Sequence, residues 1–214
     1  MQNKILIFDM DGALIDSIPD IAYAMNKTRA EFGCKELSEK TIESYIGNGL
    51  RKLVERAFQD DDTIDLEAAV LRQRENYTRY STRATSFFPG VEEGLSTLHK
   101  AGYLLGVFSN KPGRLCRRIL EHLGALELFV EVLGAEDGYA LKPEPEAVQY
   151  LLEKYNCDPK KSWFAGDHYT DLQCAENSGL KGCFFTYGYG NPRQVKMDCG
   201  ADTFADFVAE VLSA

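Results

Sequence analysis

The chain has 214 residues, a formal net charge of −9 and an apolar fraction of 44%, and these values exclude several classes of protein. The apolar fraction is sufficient for a folded core, and no long stretch is both highly charged and poor in apolar residues, so we exclude a disordered chain. The acidic balance argues against a general nucleic-acid-binding protein, which needs a basic surface to neutralise phosphates. A small anionic substrate is compatible with this charge if cations gather at its site.

The distribution of apolar residues and cysteines predicts a cytoplasmic protein. The apolar run Ile5 to Phe8 is too short for a secretory signal, and no stretch approaches the roughly 18 apolar residues of a membrane span. Six scattered cysteines without a CxxC pair are typical of a reducing compartment. We therefore expect no membrane partner, and the acidic charge predicts no nucleic-acid partner. We also expect either a monomer or a weak homodimer.

The first part of the chain predicts one buried strand followed by a helical insertion. Residues 4–8 are predicted to form a buried strand, because the run is short, is apolar from Ile5 to Phe8 and is ended by polar residues. A helix is predicted to begin at Pro19, and helical spacing then continues without any strand pattern. We therefore predict a helical cap domain over residues 15–84, inserted into a core domain formed by residues 1–14 and 85–214.

After Pro89 the pattern changes to helices that alternate with short apolar strands. The predicted strands are Tyr103 to Phe108, Val130 to Leu133, Ser162 to Ala165 and Gly182 to Thr186. The predicted helices are Val91 to Lys100, Arg114 to Leu123, Pro145 to Tyr155, Thr170 to Asn177 and Phe204 to Leu212. This alternation predicts an α/β fold with a Rossmann-like parallel sheet and helices on both faces. Such sheets bind ligands at the edge where the strands have their carboxyl ends.

Polar side chains follow four of the predicted strands, where this binding edge would lie. In chain order they are Asp9 and Asp11, then Ser109, Asn110 and Lys111, then Lys142, and finally Asp167 and Asp171. Neighbouring carboxylates repel one another unless a cation joins them, and oxygen ligands select a hard metal such as Mg²⁺. Lys142 can face a phosphate, and the hydroxyl of Ser109 and the amide of Asn110 can donate hydrogen bonds to it.

Four ordered motifs resemble those of the haloacid dehalogenase (HAD) superfamily. They are Asp9-Met10-Asp11-Gly12, Ser109-Asn110, Lys142-Pro143, and Gly166-Asp167 with Asp171. Further segments resemble the phosphoglycolate phosphatase branch, namely Ile46-Gly47-Asn48-Gly49, Glu55-Arg56-Ala57, Phe88-Pro89-Gly90-Val91, Asn110-Lys111-Pro112, Lys142-Pro143-Glu144-Pro145 and Thr186-Tyr187-Gly188-Tyr189-Gly190. The resemblance covers nearly the whole chain and implies a magnesium-dependent phosphatase.

The resemblance implies a chemical role for four aspartates. Asp9 would be the nucleophile and a magnesium ligand, forming an aspartyl-phosphate. Asp11 would protonate the leaving alcohol, then activate the hydrolytic water, and would give the metal a backbone carbonyl. Asp167 would bind the metal, and Asp171 would support the metal site.

The same resemblance assigns the phosphoryl group to Ser109, Asn110 and Lys142. The helical insertion would be a cap that closes over the substrate and excludes water. The cap residues expected to contact the far end of the substrate are Gly47, Asn48, Gly49 and Arg51.

Two positions depart from the family pattern. Ala13 stands where threonine or valine is usual, which puts the rate in question, and we predict that Ala13→Thr raises turnover. His168 stands where many relatives carry serine. The sequence does not decide the role of His168, nor whether Lys111 faces solvent or contacts the phosphate.

Three functions are compatible with these residues. The favoured one is hydrolysis of a compact phosphorylated acid, with 2-phosphoglycolate as the preferred substrate. Because the cap selects the substrate, the same core could serve a phosphatase for a sugar phosphate, a nucleotide or pyrophosphate, or a phosphosugar mutase. The third is a binding module that has lost turnover, for which Ala13 is the only support.

Overall fold

The protein divides into two compact units. The computed structural model describes residues 2–213. One unit combines Met1–Ile15 with Phe87–Ala214, and the other is Asp16–Ser86. The boundaries expected from the sequence, after residues 14 and 84, differ from these by one and two residues.

Helices and short strands follow one another along the chain. The strands are β1 (Ile5–Phe8), β2 (Ile15–Asp16), β3 (Ser86–Phe87), β4 (Leu104–Pro112), β5 (Glu131–Ala135), β6 (Trp163–Gly166), β7 (Lys181–Phe185) and β8 (Cys199–Ala201). The helices are α1 (Ile18–Glu31), α2 (Glu39–Glu43), α3 (Gly49–Ala57), α4 (Leu66–Tyr80), α5 (Val91–Lys100), α6 (Gly113–His122), α7 (Glu146–Lys154), α8 (Tyr169–Ser178) and α9 (Phe204–Ser213). Within residues 2–213, no helix combines the length and apolar character that crossing a bilayer requires.

The main sheet confirms the predicted parallel α/β fold. Over the described residues it has six strands in the order β5-β4-β1-β6-β7-β8, and every neighbouring pair is parallel. The order reverses at β1, which pairs with β4 on one side and β6 on the other. In sheets of this kind, ligands bind outside the carboxyl ends of the strands at such a reversal.

Helices cover both faces of this sheet. Because successive side chains of a strand point to opposite faces, Leu6 and Phe8 join one buried cluster while Ile5 and Ile7 join the other. The first cluster includes Val91, Leu95, Leu98, Phe204, Phe207 and Val211, and the second includes Ala147, Val148, Leu151, Cys174 and Ala175. Each large apolar side chain buried in this way contributes about 1.5–3 kcal/mol relative to exposure. The core therefore holds the strand ends in fixed positions.

Four strands differ from the sequence prediction, which did not contain the two-residue strands β2 and β3. β4 continues beyond the predicted end at Phe108, and its register with β5 shifts between Ser109 and Pro112. The chain comes so close to β5 here that a β-carbon at Gly134 would overlap the main chain of Lys111. The edge strand β8 was not predicted, because a run of only three residues, Cys-Gly-Ala, carries no strand pattern of its own.

The second unit consists mainly of the helices α1 to α4. Arg29 of α1 is fully buried; it donates to the carbonyl of Lys35 at 2.7 Å and pairs with Asp60 at 3.0 Å. Asp20 of the same helix is also fully buried, and its carboxylate accepts hydrogen bonds from the N–H groups of Ala84 and Thr85. Charged groups inside this unit are thus satisfied by partners from its other segments.

Candidate active site

Lys142 lies at the centre of the polar groups gathered at the carboxyl edge of the sheet. Its Nζ is 2.8 Å from Oδ1 of Asp9, which follows β1, and 2.6 Å from Oδ1 of Asp171 in α8. The lysine side chain is 1% exposed. Burial alone would lower the pKa of Lys142, but the charges of Asp171 and Asp9 outweigh it and raise the pKa above the usual value. The ammonium group is therefore charged at neutral pH.

Three carboxylates form a group that could hold a metal ion. Asp9, Asp167 and Asp171 each offer an oxygen, and these oxygens lie within 4.8 Å of one another. The resemblance implied Asp9 and Asp167 as metal ligands, Asp11 as a ligand through its backbone carbonyl, and Asp171 as a support of the metal site. The carboxylate of Asp171 lies close enough to the other two to be a ligand itself.

The electrostatics of this group fit a cation. Oδ1 of Asp9 is buried and lies 2.8 Å from the ammonium group of Lys142. Burial raises the pKa of Asp167 well above its usual range, and the charges of Asp171 and Asp9 raise it further. Burial also raises the pKa of Asp171, although Lys142 acts against this shift. A divalent cation would stabilise the ionised carboxylates against both their burial and their mutual repulsion.

Asp11 has a different partner. Its carboxylate forms an ion pair with Lys111, and the side chains are 14% and 4% exposed. The sequence did not decide whether Lys111 faces solvent or contacts the phosphate. In the structure Lys111 is instead buried against Asp11. The carboxylate of Asp11 is paired with Lys111 and is not part of the three-carboxylate group.

Asn110 contacts the main chain of Lys142. Its Oδ1 accepts a hydrogen bond from the N–H of Lys142 at 2.8 Å, and its Nδ2 donates to the carbonyl of Lys142 at 3.4 Å. Ser109 is buried, and its Oγ accepts from the N–H of Lys111 at 3.3 Å. Asn110 therefore positions Lys142, a role that sequence reasoning missed because the two residues are 32 positions apart.

Asp171 acts both at the site and as a capping residue of α8. Its Oδ1 contacts Lys142, while its Oδ2 accepts from the N–H of His168 at 2.9 Å. Nδ1 of His168 accepts from the N–H of Thr170 at 3.4 Å and so completes the capping box. His168 thus orders the first turn of α8, which carries Asp171.

A tyrosine-glycine segment after β7 also contacts the site. The N–H groups of Tyr189 and Gly190 both donate to Oδ2 of Asp167 at 2.8 Å. The hydroxyl of Tyr187 donates to the carbonyl of Ala13 at 2.7 Å. These contacts were not predicted from the sequence, although glycines spaced after a strand indicate a close approach of main chain.

The residues expected to contact the far end of the substrate belong to the second unit. Gly47 and Gly49 have positive φ angles of 106° and 83°, and Oδ1 of the intervening Asn48 accepts from Arg56 at 2.9 Å. Arg51 is more than half exposed and pairs with Glu55 at 3.2 Å and Glu67 at 2.6 Å. All four residues remain candidates for substrate contact, and Arg51 would have to exchange these partners to reach one.

The chain belongs to the haloacid dehalogenase-like hydrolases, the family whose sequence profile matches residues 6–185. A phosphoglycolate phosphatase of Vibrio parahaemolyticus is 32% identical over 216 residues, which cover 98% of this chain and 94% of the relative. The phosphoglycolate phosphatase of Pasteurella multocida is 35% identical over 196 residues, covering 88% of each chain. A crystal structure described as a predicted phosphoglycolate phosphatase from Haemophilus somnus has a TM-score of 0.89 and 31% identity over 98% of both chains.

These similarities confirm the family and the enzyme class expected from the motifs. The protein is a hydrolase, a phosphatase of the haloacid dehalogenase type. Its substrate is accordingly a small phosphorylated molecule.

Proposed function

We propose that this phosphatase hydrolyses 2-phosphoglycolate with Mg²⁺ as cofactor and Asp9 as the nucleophile. The observation that carries the proposal is the position of the Lys142 ammonium between Asp9 and Asp171, with Asp167 completing a three-carboxylate group. This arrangement supplies a nucleophile, a buried cation and a set of oxygen ligands within one small volume.

The charges explain why a metal is part of the proposal. Three carboxylates and one ammonium leave a net charge of −2 when all are ionised, and a phosphate dianion would add to it. Each unscreened pair of like charges at about 4 Å costs about 4 kcal/mol at an effective dielectric of about 20. Bound Mg²⁺ would neutralise this repulsion and polarise a phosphoryl oxygen. Asp9, Asp167 and Asp171 provide the carboxylates to hold it, and a backbone carbonyl from Asp11 fits the same proposal.

The chain's own groups then divide the reaction into two steps. In the first, the carboxylate of Asp9 attacks phosphorus, the bond to the leaving oxygen breaks, and Asp11 gives that oxygen a proton. In the second, Asp11 takes a proton from a water molecule that attacks phosphorus and releases Asp9. Lys142 and Ser109 would stabilise the charge on the phosphoryl oxygens. Asn110 would act chiefly by holding Lys142 in place.

Support for 2-phosphoglycolate comes from the relatives. Proteins named phosphoglycolate phosphatase match 98% of this chain at 32% identity. We propose that residues 16–86 act as the cap, with Gly47, Asn48, Gly49 and Arg51 meeting the carboxylate end of the substrate. A cationic Arg51 is suited to that carboxylate once it leaves Glu55 or Glu67.

The proposal extends to the cellular setting. All six cysteines lie within residues 2–213 and are free thiols, and four of them are buried. Free cysteines of this number are typical of proteins in a reducing compartment. We therefore propose a cytoplasmic enzyme. The monomer or weak homodimer expected from the sequence stays a prediction.

A phosphate-release assay tests the function. Purified protein is incubated with 2-phosphoglycolate, sugar phosphates, nucleotides and pyrophosphate, each with Mg²⁺ and with EDTA. We expect the highest kcat/KM for 2-phosphoglycolate, and activity only with the metal. Asp9→Asn should lower kcat by at least about a thousandfold, since losing a nucleophile removes the covalent route.

A control variant with the same Asp-to-Asn change at another position tests whether the loss of activity is specific to Asp9. Asp62→Asn changes an exposed carboxylate of the second unit and should leave activity unchanged. Metal-independent activity, or equal activity in Asp9→Asn and the unmodified protein, would refute the mechanism. Higher kcat/KM for a sugar phosphate, or phosphate transfer between sugar hydroxyls without release, would refute the substrate assignment.

A further inference from the structure

The segment Tyr187–Gly190 holds the carboxylate of Asp167 from one side. The N–H groups of Tyr189 and Gly190 both donate to Oδ2 at 2.8 Å. Two donors on one oxygen restrict rotation of the carboxylate, which is itself buried. The plane of the carboxylate is therefore set by main-chain groups of this segment.

Two glycines allow the main chain to approach the side chain of Asp167 closely. A β-carbon at Gly188 would overlap the side chain of Asp167 and the carbonyl oxygen of Gly12. A β-carbon at Gly12 would overlap the carboxylate of Asp167 as well. Asp167 thus lies in a slot whose walls are main chain, and such walls yield far less readily than flexible side chains.

Tyr187 connects this slot to the turn that carries Asp9 and Asp11. Its hydroxyl donates to the carbonyl of Ala13 at 2.7 Å, while its ring stacks on Phe185 with centroids 5.1 Å apart. Within the turn, the N–H of Leu14 donates to the carbonyl of Met10 at 3.0 Å. The turn is a hydrogen-bonded unit, and a contact at Ala13 therefore restrains it as a whole.

We propose that Tyr187–Gly190 is a positioning segment that fixes the separation between the carboxylates of Asp167 and Asp9, and that the Tyr187 hydroxyl is one of its anchors. The inference rests on the proposed function, in which these two carboxylates bind one Mg²⁺ ion. Mg²⁺ demands near-ideal ligand geometry, so its affinity is sensitive to a small change in this separation. Tyr187 acts through Asp9 and Asp167 and touches neither metal nor substrate.

The experiment compares two tyrosine-to-phenylalanine variants. Tyr187→Phe removes only the hydroxyl that bonds to Ala13. Tyr103→Phe is the matched control, because its buried hydroxyl also donates to a main-chain carbonyl, that of Val211 at 3.0 Å. Tyr103 directly precedes β4, at the amino end of the strand and so at the opposite edge of the sheet from the site. Both variants lose one hydrogen bond of the same kind.

Mg²⁺ binding is measured in two ways. The first is calorimetric titration of metal-free protein without substrate, and the second is the Mg²⁺ concentration that gives half-maximal phosphate release. We expect Tyr187→Phe to need about fivefold more Mg²⁺ in both, the effect of one hydrogen bond. Tyr103→Phe should lower the melting temperature about as much as Tyr187→Phe does. Its Mg²⁺ affinity should equal that of the unmodified protein.

A second variant probes the slot directly. Gly188→Ala should weaken Mg²⁺ binding by about 10- to 100-fold, the usual range for partners of a metal ligand. If Tyr187→Phe needs no more Mg²⁺ than the unmodified protein, or no more than Tyr103→Phe, the inference is overturned while the proposed function stands. If the unmodified protein binds no Mg²⁺ and releases no phosphate, the proposed function fails and the inference fails with it.

Discussion

The side-chain amide of Asn110 pairs with both main-chain groups of Lys142, accepting from its N–H at 2.8 Å and donating to its carbonyl at 3.4 Å. This pairing fixes the backbone from which the lysine side chain reaches Asp9 and Asp171. A lysine side chain has several rotatable bonds, so its position at a site depends on a rigid backbone. Asn110 therefore acts on catalysis through Lys142.

We predict that Asn110→Ala lowers kcat/KM by up to about 30-fold, because two hydrogen bonds of about 1 kcal/mol each no longer hold Lys142. Asn26→Ala is the matched control, since Asn26 makes the same pair of hydrogen bonds to Leu37, both at 2.9 Å. Both variants should lose similar amounts of unfolding free energy in urea. Equal kinetic effects in the two variants would refute the special role of Asn110.

The ion pair between Lys111 and Asp11 predicts an effect that depends on the leaving group. Lys111→Met should misplace Asp11 and impair proton transfer to the departing oxygen. We expect kcat/KM to fall at least about tenfold more for 2-phosphoglycolate than for p-nitrophenyl phosphate, whose leaving group departs without a proton. Lys111→Arg, which keeps the charge, should recover part of the activity. Equal losses for both substrates would show that Lys111 does not act through Asp11.

The raised pKa of Asp167 predicts that its replacement stabilises the metal-free protein. Because the folded-state pKa exceeds the unfolded value of about 4, the folded protein binds this proton more tightly. The resulting stabilisation is complete below about pH 4 and is lost as pH rises through the folded pKa. Asp167→Asn cannot titrate, and its amide oxygen can still accept from Tyr189 and Gly190.

In EDTA, we expect Asp167→Asn to melt at a higher temperature than the unmodified protein at pH 7 and at a similar temperature near pH 4. The gain should approach about 1.4 kcal/mol for each unit by which the pKa is raised. Mg²⁺ should reverse the order at pH 7, because it binds the carboxylate. The exposed substitution Asp62→Asn should produce neither effect. A pH-independent difference between Asp167→Asn and the unmodified protein would contradict this prediction.

The burial of Ala13 gives a prediction about stability. Ala13 is 0% exposed within the apolar core, so the two extra heavy atoms of threonine must displace neighbours. We expect Ala13→Thr to lower the unfolding free energy by about 1–3 kcal/mol, with Ala13→Ser intermediate. The rise in turnover expected from the sequence stays a prediction, and kcat is measured on the same variants. Unchanged stability would mean that the core has space at this position.

Much of the fold follows from local patterns in the chain. Ile5–Phe8 is continuously apolar and buried, and a strand of this kind must be covered on both faces, as it is by the helices of a layered α/β fold. The acids that follow it, Asp9 and Asp11, could therefore be predicted to lie at a binding edge. Strand β8 could not, because Cys199–Ala201 becomes a strand only by pairing with β7.

The role of each residue within the site could be assigned only from the tertiary structure. The carboxylates that lie close together come from segments far apart in the chain. The distances between these segments cannot be read from the sequence. Thus Asp171 lies in the three-carboxylate group and Asp11 pairs with Lys111. The N–H groups that hold Asp167 belong to Tyr189 and Gly190, and main-chain donors are the same for every residue type except proline. Residue types thus indicate the chemistry available, whereas packing determines which atoms meet.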